Sequence, residues 1–287
     1  MLVSMKYLLD KAKDADFAVG AFNATELALV RSVVEQAEES DSPAIIEASA
    51  GEFEFVTKDF YKYVIERCKD SRVPFALHLD HGHTVEECVR AIQAGFTSVM
   101  IDGSTLSYEE NVALTKKVVE IAHAAGVTVE GEIGTIGAIG NSDEGGVTNI
   151  TYTRPEDVVD FVEKTGVDCL AIAIGTAHGI YPKGYTPKLQ LELLEEIKKI
   201  APVPLVLHGG SNNPDDEIAK ACKIGIAKVN ISSDIKYAYF KKLDEVYKET
   251  GGFVPAKVMG PAIVDTKAVV KNKMELFNSV GKASLYR

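Results

Sequence analysis

Hydrophobic positions along this chain fall into two alternating patterns. Short, nearly continuous apolar runs occur at 17–23 (FAVGAFN), 43–49 (PAIIEAS), 74–80 (PFALHLD) and 98–102 (SVMID). Four more follow at 128–134 (TVEGEIG), 169–174 (CLAIAI), 204–209 (PLVLHG) and 226–232 (IAKVNIS). Such runs predict strands buried on both faces, as in parallel sheets. Segments of helical spacing lie between them. Over 25–40, Leu27, Val30, Val33, Val34 and Ala37 mark one helical face. Thr84 and Glu87 form a capping box that opens a helix after the third run. The segments 107–125, 155–165, 189–200, 214–223 and 233–250 continue the series, with Pro155 and Pro214 at first-turn positions.

Eight strand-then-helix units predict an α/β chain folded as a (β/α)8 TIM barrel, with residues 1–287 as one domain. A helix at 4–12 would precede the first strand, and helices reaching 281 would follow the last. These are an N-terminal extra helix and a C-terminal helical extension. The competing arrangement is an open doubly wound sheet. It is disfavoured because no GxGxxG follows the first run and no composition break divides the chain. Two connections, 135–153 and 175–187, are long and rich in glycine. In a barrel, loops that follow strands surround the catalytic mouth.

Charge and cysteine usage narrow the partners. Lys and Arg total 31 against 42 Asp and Glu, a net charge of −11. That balance argues against a nucleic-acid or anionic-membrane binder, which needs a basic face, but leaves room for a local phosphate pocket. Cys68, Cys88, Cys169 and Cys222 form no CxxC or Cys/His spacing, so reduced thiols in a cytoplasmic protein are expected. No apolar run approaches the roughly 20 residues of a membrane span.

Three of the six histidines, His81, His178 and His208, fall at or just after the ends of the third, sixth and seventh strands. Strand ends converge at one mouth of a barrel, so these imidazoles can meet there and hold a catalytic Zn2+ with an open position. Asp80 precedes His81; beside a metal it can serve as general acid/base or orient an imidazole. His78 reads as a hydrogen-bonding residue of the barrel interior, His83 as loop, and His123 as a helix C-terminal charge. Glu130 and Glu132 alternate on the fifth strand and face one way, which in a dry interior demands a cation or a partner. Asp102 ends the fourth strand and can ligate a metal, support a ligand or hold a monovalent cation. Asp143 and Glu144 lie in the first long loop, either as solvated charges or as a base delivered on loop closure. Glycine- and serine-rich turns at 178–179, 208–211 and 229–233 can present N–H groups and hydroxyls to a phosphate. N-capping alone would also explain Ser232 and Ser233.

Taken together, LHLDHG (77–82), SVMIDGS (98–104), VEGEIGTIG (129–137), IAIGTAHGIY (172–181), PLVLHGGS (204–211) and GIAKVNISSD (225–234) resemble the class II, metal-dependent fructose-bisphosphate and tagatose-bisphosphate aldolases. The resemblance extends from GAFNATEL (20–27) to the C-terminal helices. It implies a lyase of carbohydrate metabolism that reversibly cleaves a ketose bisphosphate to dihydroxyacetone phosphate and an aldehyde such as glyceraldehyde 3-phosphate. It implies Zn2+ on His81, His178 and His208, with Asp102 and Glu132 near the metal; a monovalent Na+ or K+ as a second cation is an alternative that these carboxylates themselves leave open. Asp80 matches the acid/base at the aldehyde-derived oxygen, and Glu144 the loop glutamate that moves the dihydroxyacetone phosphate proton. Asn23, Ser49, Gly179, Gly209, Gly210, Ser211, Asn230, Ser232 and Ser233 match substrate- and phosphate-holding positions. A homodimer or homotetramer is implied.

Two departures stand out. The loop AIGNSDEGGV is longer than usual, which leaves Asp143 as an alternative to Glu144. Where relatives often read Asp-Pro-Arg, with the Arg reaching the second phosphate, this chain has Val254-Pro255-Ala256-Lys257. A ketose 1-phosphate substrate is therefore the alternative reading. A metal-dependent hydrolase, a non-catalytic phosphosugar-binding barrel and a Schiff-base aldolase using Lys228 are the remaining alternatives.

Overall fold

The computed structural model describes residues 1–139, 146–148, 150–182 and 187–287. Eight parallel strands close into a barrel: β1 (Val19–Asn23), β2 (Ala44–Ser49), β3 (Phe75–Gly82), β4 (Ser98–Ile101), β5 (Thr128–Ile133), β6 (Cys169–Ile172), β7 (Leu205–Leu207) and β8 (Ile226–Ile231). Neighbours in sequence are neighbours in space, and β8 pairs with β1 to close the ring, with Val19 opposite Lys228. All eight apolar runs are therefore strands, and the open-sheet alternative falls.

The expected helices follow their strands. The Thr84–Glu87 capping box opens Val85–Gln93, and Pro155 begins Pro155–Thr165. Pro214 instead sits one position earlier, as the N-cap of Asp215–Ile224. The connection after β2 holds two helices, Ala50–Phe55 and Lys58–Lys69, that the hydrophobic pattern does not predict. The first buries no residue, and the second buries only Tyr61, Val64 and Cys68, so its apolar stripe is thin. At the C-terminus, Ser233–Thr250 and Pro255–Leu276 form the extension.

One apolar layer fills the space between strands and helices. A second cluster occupies the barrel's lower interior, where Val19, Ile45, Ala76, Cys169, Val206 and others pack on Met5, Leu8, Leu9 and Ala12. The extra helix Met5–Asp14, capped by Ser4, is thus the plug of the barrel's N-terminal mouth. Above this floor the inward positions turn polar: Glu47, His78, Glu130 and Lys228, then Asp80, His208, Asn23 and Asn230, all buried. Polar groups removed from water must pair with one another or with a ligand. The C-terminal mouth is where this chain concentrates its chemistry.

Candidate active site and metal centre

His81, His178 and His208 converge at that mouth, with one ring nitrogen from each lying within 4.8 Å of the others. Each arrives by a different device. His81 is in β3 but has φ of +48°, in the left-handed region, where the β3–β4 register shifts between Leu79 and Gly82. The irregularity re-aims a side chain at a site, a known use of bulges and of local backbone strain. His208 directly follows β7. His178 lies beyond β6, in a two-residue segment, Ala177–His178, that pairs with Gly137–Ala138.

The rings are locked from behind. His81 Nδ1 is 2.9 Å from Asp102 Oδ2, and His208 Nε2 is 2.7 Å from Glu130 Oε1. In each pair the ring N–H donates to the carboxylate, which leaves the opposite nitrogen facing inward. Those inward nitrogens, His81 Nε2 and His208 Nδ1, lie 2.8 Å apart. Two lone pairs at that distance repel unless a proton or a cation lies between them. Burial works against charge on His81, but Asp80 and Asp102 outweigh it and push its pKa up to about 10. Burial and the neighbouring His81 and Lys228 hold His208 neutral, well below the usual imidazole range. The donor set of three buried imidazoles, two braced by carboxylates, fits a divalent cation.

Asp80 is fully buried beside this cluster, its Oδ1 3.9 Å from His81 Nε2 and 4.0 Å from His208 Nδ1. Asn230 Nδ2 donates to its Oδ1 at 2.9 Å and Asn23 Nδ2 to its Oδ2 at 3.1 Å. Burial raises its pKa, but His81, His208, Lys228 and the Asn23 bond together carry it down to about 2. Sequence reasoning assigned Asn23 and Asn230 only to substrate. They are also the brackets of the carboxylate, and their carbonyl oxygens have no hydrogen-bond partner among the described residues. Those two acceptors remain available to hydroxyl groups.

The other carboxylates differ. Asp102 takes His81 on one oxygen and the Ser104 N–H on the other at 2.9 Å. Burial, then the charge of Asp102, pushes the Glu132 carboxyl well above its usual range, and its Oε2 finds no hydrogen-bond partner among the described residues. His81, Asp102 and Glu132 also offer ligand atoms within 4.8 Å of one another. Along with His178, these residues line a small cavity of about 70 Å3.

The partner that the sequence left unnamed for Glu130 is Lys228, 3.0 Å away, with Glu47 at 3.6 Å on its far side. Burial opposes the Lys228 charge, but Glu130, Glu47 and Asp80 overcome it and raise its pKa above the ordinary lysine value. A permanently charged amine is no nucleophile, which argues against a Schiff-base aldolase. His78 is an interior residue, its Nδ1 2.8 Å from Ser98 Oγ. His83 is exposed in the loop, and His123 pairs at a helix end with Asp168 at 2.9 Å.

The glycine- and serine-rich turns sit at the same mouth. Gly179 and Gly209 have φ of +103° and +62°, and a Cβ on either would meet a backbone carbonyl. Gly210 packs as tightly against β8, where a Cβ would lie 2.5 Å from Val229 Cγ1. Ser211 Oγ accepts from the N–H groups of Ser232 and Asp234 at the start of Ser233–Thr250. Ser232 is the N-cap by position but makes no side-chain cap bond, so Ser211 performs that role from another loop. Ser49 caps Ala50–Phe55 in a box with Glu52. Asp143 and Glu144 lie outside the described residues.

A closed parallel barrel that gathers three buried imidazoles, two of them braced, and an ionised carboxylate at its C-terminal mouth is a metal-dependent barrel enzyme. The family model described as "Fructose-bisphosphate aldolase class-II" matches residues 3–282. The fructose-bisphosphate aldolase of Geobacillus stearothermophilus is 41% identical over 290 residues, covering 99% of each chain. That of Thermus caldophilus is 39% identical over 305 residues, covering 99% of this chain and all of its own. The crystal structure of the YdjI aldolase from Escherichia coli K12 superposes with a TM-score of 0.87 at 32% identity, covering 99% of this chain and 100% of that one. The chain belongs to the class II fructose-bisphosphate aldolase family. It is a lyase whose chemistry uses a divalent metal.

Proposed function

We propose that the protein reversibly cleaves a ketose 1,6-bisphosphate, of the fructose or tagatose type, to dihydroxyacetone phosphate and glyceraldehyde 3-phosphate. The observation that carries this is the conjunction of His81, His178 and His208 with a buried, ionised Asp80 at their edge. The residues fit Zn2+ on the three imidazoles, which when bound would supply Lewis-acid polarisation of the substrate carbonyl. Asp80, fixed by Asn23 and Asn230, accepts the C4 hydroxyl proton as the C3–C4 bond breaks. Glu144, or Asp143 beside it, returns a proton to the three-carbon fragment. Gly179, Gly209, Gly210, Ser211, Ser232 and Ser233 hold one phosphate through N–H groups and hydroxyls at a helix N-terminus. Asn230 and Ser49 contact sugar hydroxyls. Asp102 and Glu132, two close carboxylates of which Glu132 Oε2 has no hydrogen-bond partner among the described residues, would hold the monovalent cation, Na+ or K+.

A homodimer or homotetramer is part of the same reading. It is supported by an apolar surface on the C-terminal extension, where Phe240 and Tyr247 are exposed and Phe253 is 90% exposed. Large exposed apolar patches mark association surfaces. A cytoplasmic location is supported by four buried, free cysteines. No helix among the described residues is long and apolar enough to cross a membrane. The test is sugar-phosphate cleavage that is abolished by a chelator, restored by Zn2+, and insensitive to borohydride in the presence of substrate. Metal analysis of His178→Ala and His208→Ala accompanies it, and full zinc retention in both would remove the ligand assignment.

A further inference from the structure

Lys228 is a residue of the barrel interior that the reaction leaves without a task. Its ammonium is fully buried, 3.0 Å from Glu130 and 3.6 Å from Glu47, with the charge of Asp80 adding to theirs. It bonds both oxygens of Glu130, at 3.2 and 3.0 Å. The same Glu130 Oε1 accepts the Nε2–H of His208 at 2.7 Å. Three strands thus contribute one linear chain: Lys228 from β8, Glu130 from β5 and His208 after β7.

We infer that Lys228 is a positioning residue for the metal centre, acting through Glu130 to hold His208 in the orientation and tautomer that present Nδ1 to the cation. A buried carboxylate left without a counter-charge is strongly unfavourable, and its surroundings rearrange to relieve it. Lys228 supplies that counter-charge, bonding the Oε1 that His208 shares as well as Oε2, so Glu130 remains an acceptor aimed at the imidazole. Carboxylates behind ligating imidazoles tune metal affinity, and their loss costs about 10- to 100-fold. Lys228 extends that bracing by one residue. Cys169, with Sγ 3.6 Å from Glu130 Oε2, and His78, with Nε2 at 3.7 Å from the same atom, complete the surroundings of the carboxylate without adding a fixed charge.

The test is a double-mutant cycle on the full chain stripped of metal, read by Co2+ titration and the visible absorption bands of bound Co2+. Lys228→Met should raise the Co2+ Kd by about 10- to 100-fold and alter the bands. Glu130→Gln alone should raise it too, because an amide is a weaker acceptor for the His208 N–H. Lys228→Met in the Glu130→Gln background should then change Kd by less than about twofold, since the route runs through Glu130. With Glu130 neutralised, only Glu47, 3.6 Å from the ammonium, loses its lysine, so the double variant should fold even where Lys228→Met alone does not. Unchanged Co2+ affinity and bands in a folded Lys228→Met protein would overturn the inference. So would an equal effect in both backgrounds, unchanged affinity in Glu130→Gln, or a double variant that does not fold. The inference rests on His208 being a ligand, and His208→Ala separates the two. Unchanged Co2+ binding in that control removes the ligand reading, whereas loss there with an unmoved Lys228→Met removes this inference alone.

Discussion

His81 Nε2 and His208 Nδ1 face each other across 2.8 Å, while Asp102 and Glu130 claim the outer nitrogens of the two rings. With both outer positions spoken for, a proton competes with the metal for the space between the two inward nitrogens. His81, raised to about 10, is the ring that carries it near neutrality. Metal binding must displace that proton, so the affinity rises with pH through the neutral range. Calorimetric Zn2+ titrations in two buffers of different ionisation heat should report about one proton released per metal near pH 7. Release of none would mean that the pair is already deprotonated and that the carboxylates do not hold a charge there.

Asp80 is separable from metal binding because neither of its oxygens lies within hydrogen-bond distance of the inward ring nitrogens; at 3.9 and 4.0 Å it borders the cluster. Asp80→Ala should therefore retain zinc and lose cleavage by about 10²–10⁴-fold, the usual worth of a positioned acid/base. Proton exchange on dihydroxyacetone phosphate should survive better than cleavage, because another group moves that proton. Glu144→Ala should show the converse. Exchange impaired by Asp143→Ala alone would transfer the loop role to Asp143.

Gly179 tests the coupling between a phosphate turn and a metal ligand. Its φ of +103° is strained for any side chain, and an added Cβ would fall 2.0 Å from the Ile139 carbonyl. The Ile139 N–H in turn donates to the His178 carbonyl at 2.8 Å, so relief of the clash must pull on His178. Gly179→Ala should cost about 1–3 kcal/mol in backbone strain. A displacement near 1 Å at the site is worth about 10²-fold in rate. Both kcat/KM and zinc content should fall; loss of kcat/KM with full zinc retention would confine the effect to the phosphate.

The ring of strands was legible because each strand is buried on both faces and so reads as an unbroken apolar run. The histidines and Asp80 were legible for a related reason: polar residues closing apolar runs must lie at the mouth that the strand ends share. What stayed hidden depends on closure. Lys228 and Glu130 are 98 positions apart, and only the ring geometry makes them partners. Met5–Asp14 reads as a generic amphipathic helix until the barrel supplies a mouth for it to plug. The turn of His81 into the left-handed region follows from the register shift beside it, which no side-chain pattern encodes. The helices after β2 were lost to a thin apolar stripe and a break at Val56–Thr57.

Away from the site, Arg67 grips Glu38 with two bonds of 2.9 and 2.6 Å and ties Lys58–Lys69 to Leu27–Glu39. The Arg67 bond holds the Glu38 carboxyl below its ordinary range against the opposing effect of burial. A depressed folded-state value means that stability is gained above the unfolded value and lost as pH falls through the folded one. Glu38→Gln should therefore cost about 1 kcal/mol at pH 7. The difference from the parent should shrink steadily toward pH 3 in denaturant titrations. A pH-independent difference would assign the effect to packing instead of the ion pair.

The second phosphate is where the resemblance read in the sequence breaks down. Ala256, which that resemblance sets where an Arg is usual, is exposed in the first turn of Pro255–Leu276. The cations that line the adjoining groove are already engaged: Arg31 with Glu35 at 3.0 Å, and Lys267 with Glu35 and Glu39. An Arg fork grips phosphate bidentately, whereas Lys257, exposed beside Ala256, can act only as a point charge. Losing a charged partner at a bound phosphate costs about 2–4 kcal/mol, or roughly 30- to 1,000-fold in specificity. The expected outcome is a modest preference for 1,6-bisphosphates over ketose 1-phosphates, measured as kcat/KM for fructose and tagatose substrates of both kinds. Introducing Ala256→Arg should widen that preference. A parent preference already above about a thousandfold would show that another cation serves the phosphate. Lys257→Ala would then identify it: collapse of the preference assigns the role to Lys257, and an unchanged preference assigns it to a neighbouring subunit.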